Sequence, residues 1–203
     1  MIHRRSFLTL AVGLAFVPVS ARAAGTGPGD VVRGFYDALL GAMKDGPALG
    51  YRGRYQRLDT AVREAFDLAQ MTRIAVGRKW ASLTDADRQR LIENFTRYTV
   101  ANYASQFRSH DGETFEVGEE ALVADGRVLT KSRMLPREAE PIAFNYLMQQ
   151  RQDGSWRIVD VLLDGTLSQL AARRSEFGSV IARSGIKGLI ETLEQKIREL
   201  STA

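Results

Sequence analysis

"SWRIVDVLLDGTLSQLAARRSEF", residues 155–177, is the stretch on which the fold turns. From Trp156 to Leu163 the residues alternate with period two, yet both sets are apolar. Trp156, Ile158 and Leu162 make one set, and Val159, Val161 and Leu163 the other. A strand of that kind is covered on both faces. Asp164-Gly165 supplies a tight turn, and Thr166 and Gln169 stand at capping-box spacing to start a helix at once. Helices at the end of the chain are therefore the expected second cover of this strand.

Two acids and two arginines in the stretch invite chemical readings. Asp160 and Asp164 are four residues apart, which on a strand is about 13 Å. Glycosidic acid/base pairs sit about 5 to 9.5 Å apart, so Asp164 reads as the turn residue before Gly165. Asp160 interrupts an apolar strand and needs a donor if buried. Its first reading is a structural hydrogen bond to backbone or to an arginine. Arg173-Arg174 reads as a solvated pair on a helix, with phosphate binding as the alternative.

Upstream, the period-two pattern extends over three more segments, 113–123, 127–134 and 141–151, with Ala124-Asp125-Gly126 and Asp153-Gly154 as hairpin turns. A polar loop from Pro136 to Pro141 joins the middle pair. Before residue 113 the period is helical. One helix runs from an Asp30 cap to Lys44 and is broken by Gly46-Pro47. A second covers about 54–67 and a third carries Leu68, Met71, Ile74 and Ala75 toward Trp80. The longest, about 84–108, is capped by Thr84, and a last one covers about 186–199. Helices, then strands, then helices is the order of an α+β domain. We expect helices packed around a four-stranded, mostly antiparallel, curved sheet that encloses an apolar pocket.

The chain has 203 residues, 44% hydrophobic and 26% charged, enough for one domain. Residues 1–23 read as an export signal: Arg4-Arg5, an apolar run from Phe7 to Val19, and Ala21-Arg22-Ala23 as the cleavage site. The run is shorter than the roughly 20 residues that span a bilayer. Arg4-Arg5-Ser6-Phe7-Leu8 fits a twin-arginine signal as well as general secretion, and both routes stay open. Three of the 28 Lys/Arg and none of the 24 Asp/Glu lie in that leader, which leaves 25 against 24 over 24–203. A nearly neutral chain is a poor match for nucleic acid. With no cysteine, disulfides, thiol chemistry and cysteine-ligated metals are excluded.

No reagent stands out. His110, the single histidine after the leader, lies in the polar turn "RSHDGE". There is no G-x-S-x-G elbow, H-E-x-x-H pair or phosphate-binding glycine loop. Neither a metal site nor a cofactor is expected. Phe95, Tyr98, Tyr103 and Phe107 instead form an aromatic stripe along the long helix, and Ile142, Phe144, Tyr146 and Met148 share a face of the third strand. An apolar interior without a reagent suggests a binder or carrier.

Segments spread over residues 66–196 resemble the MlaC-type periplasmic phospholipid-binding family, also called the toluene-tolerance family. They are "FDLAQMTRIAVGRKWASLT" (66–84), "RQRLIENFTRYTVANYASQF" (88–107), "RVLTKSRM" (127–134), "PIAFNYLMQQRQDGSWRIVDVLLDG" (141–165) and "RRSEFGSVIARSGIKGLIETLEQK" (173–196). The resemblance implies a single lipid-binding domain over 24–203 with a deep apolar pocket for the acyl tails of a glycerophospholipid. It implies a monomeric periplasmic shuttle, not an enzyme. Its partners would be an outer-membrane lipoprotein complex and an inner-membrane ABC transporter complex. The wording "DVLLDGTLSQLAARRSEF" is similar to a hopanoid-associated branch, which makes a triterpenoid the alternative ligand. As pocket-lining residues we expect Phe95, Tyr98, Tyr103, Phe107, Phe144, Tyr146, Val159 and Val161. The competing enzymatic reading is a cone-shaped isomerase or dehydratase with Asp160 as base.

Overall fold

The computed structural model describes residues 27–202, so the expected leader lies outside the described residues. Its elements are α1 (Pro28–Lys44), α2 (Gly46–Ala65), α3 (Leu68–Val76) with a 3-10 turn at Gly77–Ser82, and α4 (Asp85–Gln106). Strands β1 (Thr114–Leu122), β2 (Val128–Leu135), β3 (Ile142–Gln150), β4 (Trp156–Leu163) and β5 (Leu167–Ser168) follow, and α5 (Gln169–Thr202) closes the chain. Helices before and after an antiparallel sheet make the fold α+β.

Local chemistry explains most boundaries. At α1 the entry is one turn earlier than expected: Pro28 occupies the first turn, and the Gly27 N–H donates to Asp30 Oδ2 at 3.0 Å. Gly46-Pro47 opens α2 instead of ending a helix in a long gap, since proline is tolerated in a first turn. Gly46 is required there, because a Cβ would come within 2.0 Å of the Arg108 carbonyl oxygen. Thr84 caps α4 as expected, its Oγ1 accepting from the Asp87 N–H at 3.1 Å.

The sheet is a meander in the order β1-β2-β3-β4-β5, every neighbour antiparallel. β1 is its long outer edge, with an irregularity between Val117 and Glu120, and Glu120 accepts from the Gly29 N–H at 2.8 Å. Four strands match expectation, and β5 is an addition with a physical cause. Asp164 (φ 50°) and Gly165 (φ 76°) both have positive φ, which is hairpin geometry, not a helix entry. The chain therefore pairs Leu163 with Leu167 and Leu162 with Ser168 before any helix begins. Thr166 closes that turn through its N–H to the Leu163 carbonyl (3.2 Å). The cap of α5 is Ser168, whose Oγ accepts from the Ala171 N–H at 2.9 Å. The expected capping role of Thr166 is thus corrected. The separate last helix is the far part of α5, which continues past a break at Gly185 (φ 66°).

A second correction concerns β4. Leu147 pairs with Asp160 and Met148 with Ile158, so Val159 is the extra residue of a β-bulge. The bulge resets the alternation: Ile158 and Val161 both join the core, with Trp156 packed against it. Here the Phe66-Asp67 connection docks on β4. Phe66 bridges to Ile158, and the Asp67 N–H donates to the Ile158 carbonyl at 2.9 Å. The core is continuous from α1 (Val32, Phe35, Leu39) through α2 (Leu58, Val62) and α4 (Leu91, Val100) to α5 (Leu189, Leu193).

Candidate functional site

Between α4 and the concave side of β3 and β4 the core opens into a cavity of about 480 Å³, within the range of about 300–1,000 Å³ typical of small-molecule sites. The C-terminal half of α4 forms one wall with Phe95, Tyr98, Thr99, Asn102, Tyr103 and Gln106, and Phe107 follows at its C-cap. These positions recur at three and four residues, so one helix face supplies the wall. The opposite wall is Ile142, Phe144 and Tyr146 of β3 with Val161 and Leu163 of β4, alternate residues of each strand. Tyr36 and Leu39 of α1 and Phe66 and Met71 close the interior, while Leu170 and Arg173 of α5 reach it from the side.

Seven of the eight residues expected from the sequence meet around this space: Phe95, Tyr98, Tyr103, Phe107, Phe144, Tyr146 and Val161. Val159 is not among the lining residues, because the bulge centred on it breaks the parity with Val161. Sequence reading missed Tyr36, Leu39, Phe66, Met71 and Phe115. Tyr36 and Leu39 belong to a visible apolar stripe, but periodicity does not separate residues that face a void from residues that face a neighbour.

Aromatic rings dominate the interior. Tyr103 stacks on Phe107 (centroids 5.9 Å apart) and lies against Phe66 (5.9 Å). Tyr36 stacks on Phe115 (4.5 Å) and meets Tyr146 edge-on (5.7 Å). The Tyr36 hydroxyl and Ser132 Oγ share a hydrogen bond of 2.6 Å, and Ser132 Oγ also bonds the Phe144 carbonyl. Burial pushes the pKa of the Tyr36 phenol up, opposed by its bonds to Ser132 and Tyr146. Burial likewise pushes the phenol pKa of Tyr103 and of Tyr146 well up. The three phenols stay neutral through the physiological range.

The charged and amide side chains of the lining are its more accessible ones: Gln106 and Asp164 are exposed and Asn102, Gln169 and Arg173 are half-buried, and together they form a rim. The Arg173 guanidinium carbon lies 5.1 Å from the Tyr98 ring centroid, and its Nη1 donates to Glu176 at 2.8 Å. Lys196 reaches the same carboxylate at 3.1 Å. Burial alone would raise Glu176, but the bonds from Arg173 and Lys196 outweigh it and hold the carboxyl below its usual value. Arg174, by contrast, points to a separate surface groove beside Gly77, Arg78 and Lys79.

Asp160 is buried and does not line the cavity. Its Oδ1 accepts from the N–H groups of Val161 (2.7 Å) and Leu170 (3.0 Å), and its Oδ2 from Ser168 Oγ (2.6 Å). Those bonds tie β4 to the start of α5. The proposed isomerase base is therefore a fastening, as its structural reading expected. His110 Nε2 contacts the Glu113 carbonyl oxygen at 3.0 Å within its own turn. Among the described residues no three His, Cys, Asp or Glu side chains cluster to hold a metal, and no helix is long and apolar enough to cross a membrane.

The sequence model of one protein family, described as MlaC protein, matches residues 34–195, which include every strand and the cavity walls. Among solved structures, the chain is similar to a phospholipid-binding protein from Ralstonia solanacearum determined in complex with a phospholipid. The two share 24% sequence identity at a TM-score of 0.75, over 88% of this chain and 99% of that one.

Proposed function

The chain belongs to the MlaC protein family, and on that premise we propose that it is a periplasmic carrier of glycerophospholipid. In this reading the protein is exported by a leader removed after Ala23 and works as a monomer. It moves lipid between an outer-membrane lipoprotein complex and an inner-membrane ABC transporter complex. The observation that carries the proposal is the cavity itself: aromatic and aliphatic walls, neutral phenols, and charged groups kept to one rim. The similar protein bound to a phospholipid supports the same ligand class.

The physical need for such a carrier is large. Each methylene moved from apolar surroundings to water costs about 0.8 kcal/mol, so a tail of about fourteen costs roughly 11 kcal/mol. A lipid crossing an aqueous gap unaided meets that barrier, and a cavity of this kind removes most of it. Release then requires a partner that binds one conformation or the lipid more strongly.

The test is native mass spectrometry of the protein purified under mild conditions, followed by identification of the extracted lipid. We expect a one-to-one complex with a phospholipid, and Phe144→Asp, which puts a charge in a half-buried wall position, should lower retained lipid by roughly tenfold or more. Protein that emerges empty from gentle purification would defeat the proposal. Recovery of a polycyclic triterpenoid would keep the carrier and change its cargo.

A further inference from the structure

Of the two arginines that the sequence sets side by side, Arg173 alone reaches the cavity. We propose that Arg173 is the phosphate-binding residue of the cavity mouth, holding the phosphodiester of the lipid headgroup while the tails occupy the apolar space. This inference rests on the carrier reading and adds to it a polar subsite and a specificity.

Three observations point the same way. First, Arg173 is the single cation among the residues that line the cavity. Second, it is held in place before any ligand arrives. The Tyr98 ring lies under its guanidinium, and Glu176 takes one of its N–H groups. Lys196 shares Glu176, so that carboxylate does not by itself cancel Arg173. A guanidinium has five N–H donors in a planar fork that matches phosphate oxygens two at a time, and this one bond to Glu176 leaves most of the fork available. Third, its neighbours on the rim, Asn102, Gln106 and Gln169, are neutral amides. The acid of the rim, Asp164, is exposed in the β4–β5 turn, where water screens its charge.

Position turns this into selectivity. A half-buried guanidinium beside a hydrocarbon cavity interacts with a phosphate more strongly than a surface arginine does, because less water intervenes. Arg174, one residue on, faces the groove at Gly77 and is the natural internal control.

The experiment compares two soluble lipids with identical tails, dioctanoyl phosphatidylglycerol and dioctanoylglycerol, by calorimetric titration of the delipidated protein. The native protein should bind the phosphate-bearing lipid roughly tenfold more tightly or better, the scale of one charge-assisted pair. Arg173→Gln should bring the two affinities together by weakening the phosphate-bearing lipid far more than dioctanoylglycerol, and Arg173→Lys should fall between. Arg174→Gln should preserve the native ratio. Equal affinities in the native protein, or an equal loss for both lipids in Arg173→Gln, would overturn the subsite while lipid binding stands. Failure of both lipids to bind would bring down the carrier reading itself. Inorganic phosphate that binds at Arg173 without competing with the phosphate-bearing lipid would mark a free-anion site and also overturn the proposal.

Discussion

Tyr146 shows how a single side chain can serve both fold and cavity. Its ring is 2% exposed, forms part of the wall, and meets Tyr36 edge-on, with Tyr103 close enough to raise it further. Burial raises all three phenols, so the fold favours their neutral form. A raised folded value means that this stabilisation is complete below the ordinary tyrosine range near 10 and declines as pH climbs beyond it. Tyrosinate absorbance in an alkaline titration should therefore show these phenols ionising above that range, together with loss of the fold. Reversible ionisation of all the tyrosines near 10 in folded protein would contradict the packing. At this scale the sequence was readable where residue type alone was decisive. Aromatic residues at helical spacing found the α4 wall, and an acid inside an apolar strand announced that Asp160 needed donors. What it could not reveal was the identity of those donors, since the Leu170 N–H and Ser168 Oγ come from beyond the turn.

Among the elements, β4 carries the most information per residue. A strict period of two places Val159 and Val161 together, whereas the bulge puts Ile158 and Val161 on the core side instead. Nothing in "WRIVDVLL" marks the extra residue. The Phe66-Asp67 connection, which pairs with Ile158 beside it, lies some ninety positions away, and pairing at that distance leaves no local trace. Deleting Val159 should therefore remove the bulge without disturbing parity. Ile158, Asp160 and Val161 would alternate plainly opposite Met148, Leu147 and Tyr146, with Ile158 still on the face of Val161, so the cost is the buried Val159 side chain and the bend at which Phe66-Asp67 docks. We expect a urea transition that stays cooperative but is weakened by about 2 kcal/mol or more, whereas deleting Glu138 from the exposed loop before β3 should cost less than about 1 kcal/mol. A ΔVal159 protein as stable as the parent would show that the bulge is dispensable. The β4–β5 connection illustrates the same limit. Asp164-Gly165 was legible as a turn, but a hairpin turn and a helix entry share those residues, and only the positive φ at both positions distinguishes them.

For the molecule as a whole, the α+β class and the resemblance held over the length that the family match covers, because layer order follows from where the period changes from 3.6 to two. The void did not follow from that order: a filled core and a lined cavity are built from the same residues, and only coordinates separate them. An interior with room for a ligand also has a thermodynamic signature. Occupancy at about a hundred times Kd adds roughly 2.7 kcal/mol, which in a domain of this size corresponds to about 5–10 °C in Tm. Stripping bound lipid should lower Tm by that amount and adding it back should restore it; an unchanged Tm would place the lipid outside the core. The outer edge of the sheet bears on a different property. β1 carries Glu116, Glu119 and Glu120, is distorted between Val117 and Glu120, and pairs Glu116 with Arg133 and Glu119 with Lys131 of the neighbouring strand. Two copies meeting edge to edge would set acid against acid along a strand too irregular to zip. The edge is thus poorly suited to recruiting further copies strand to strand, the route by which exposed sheet edges grow into fibrils.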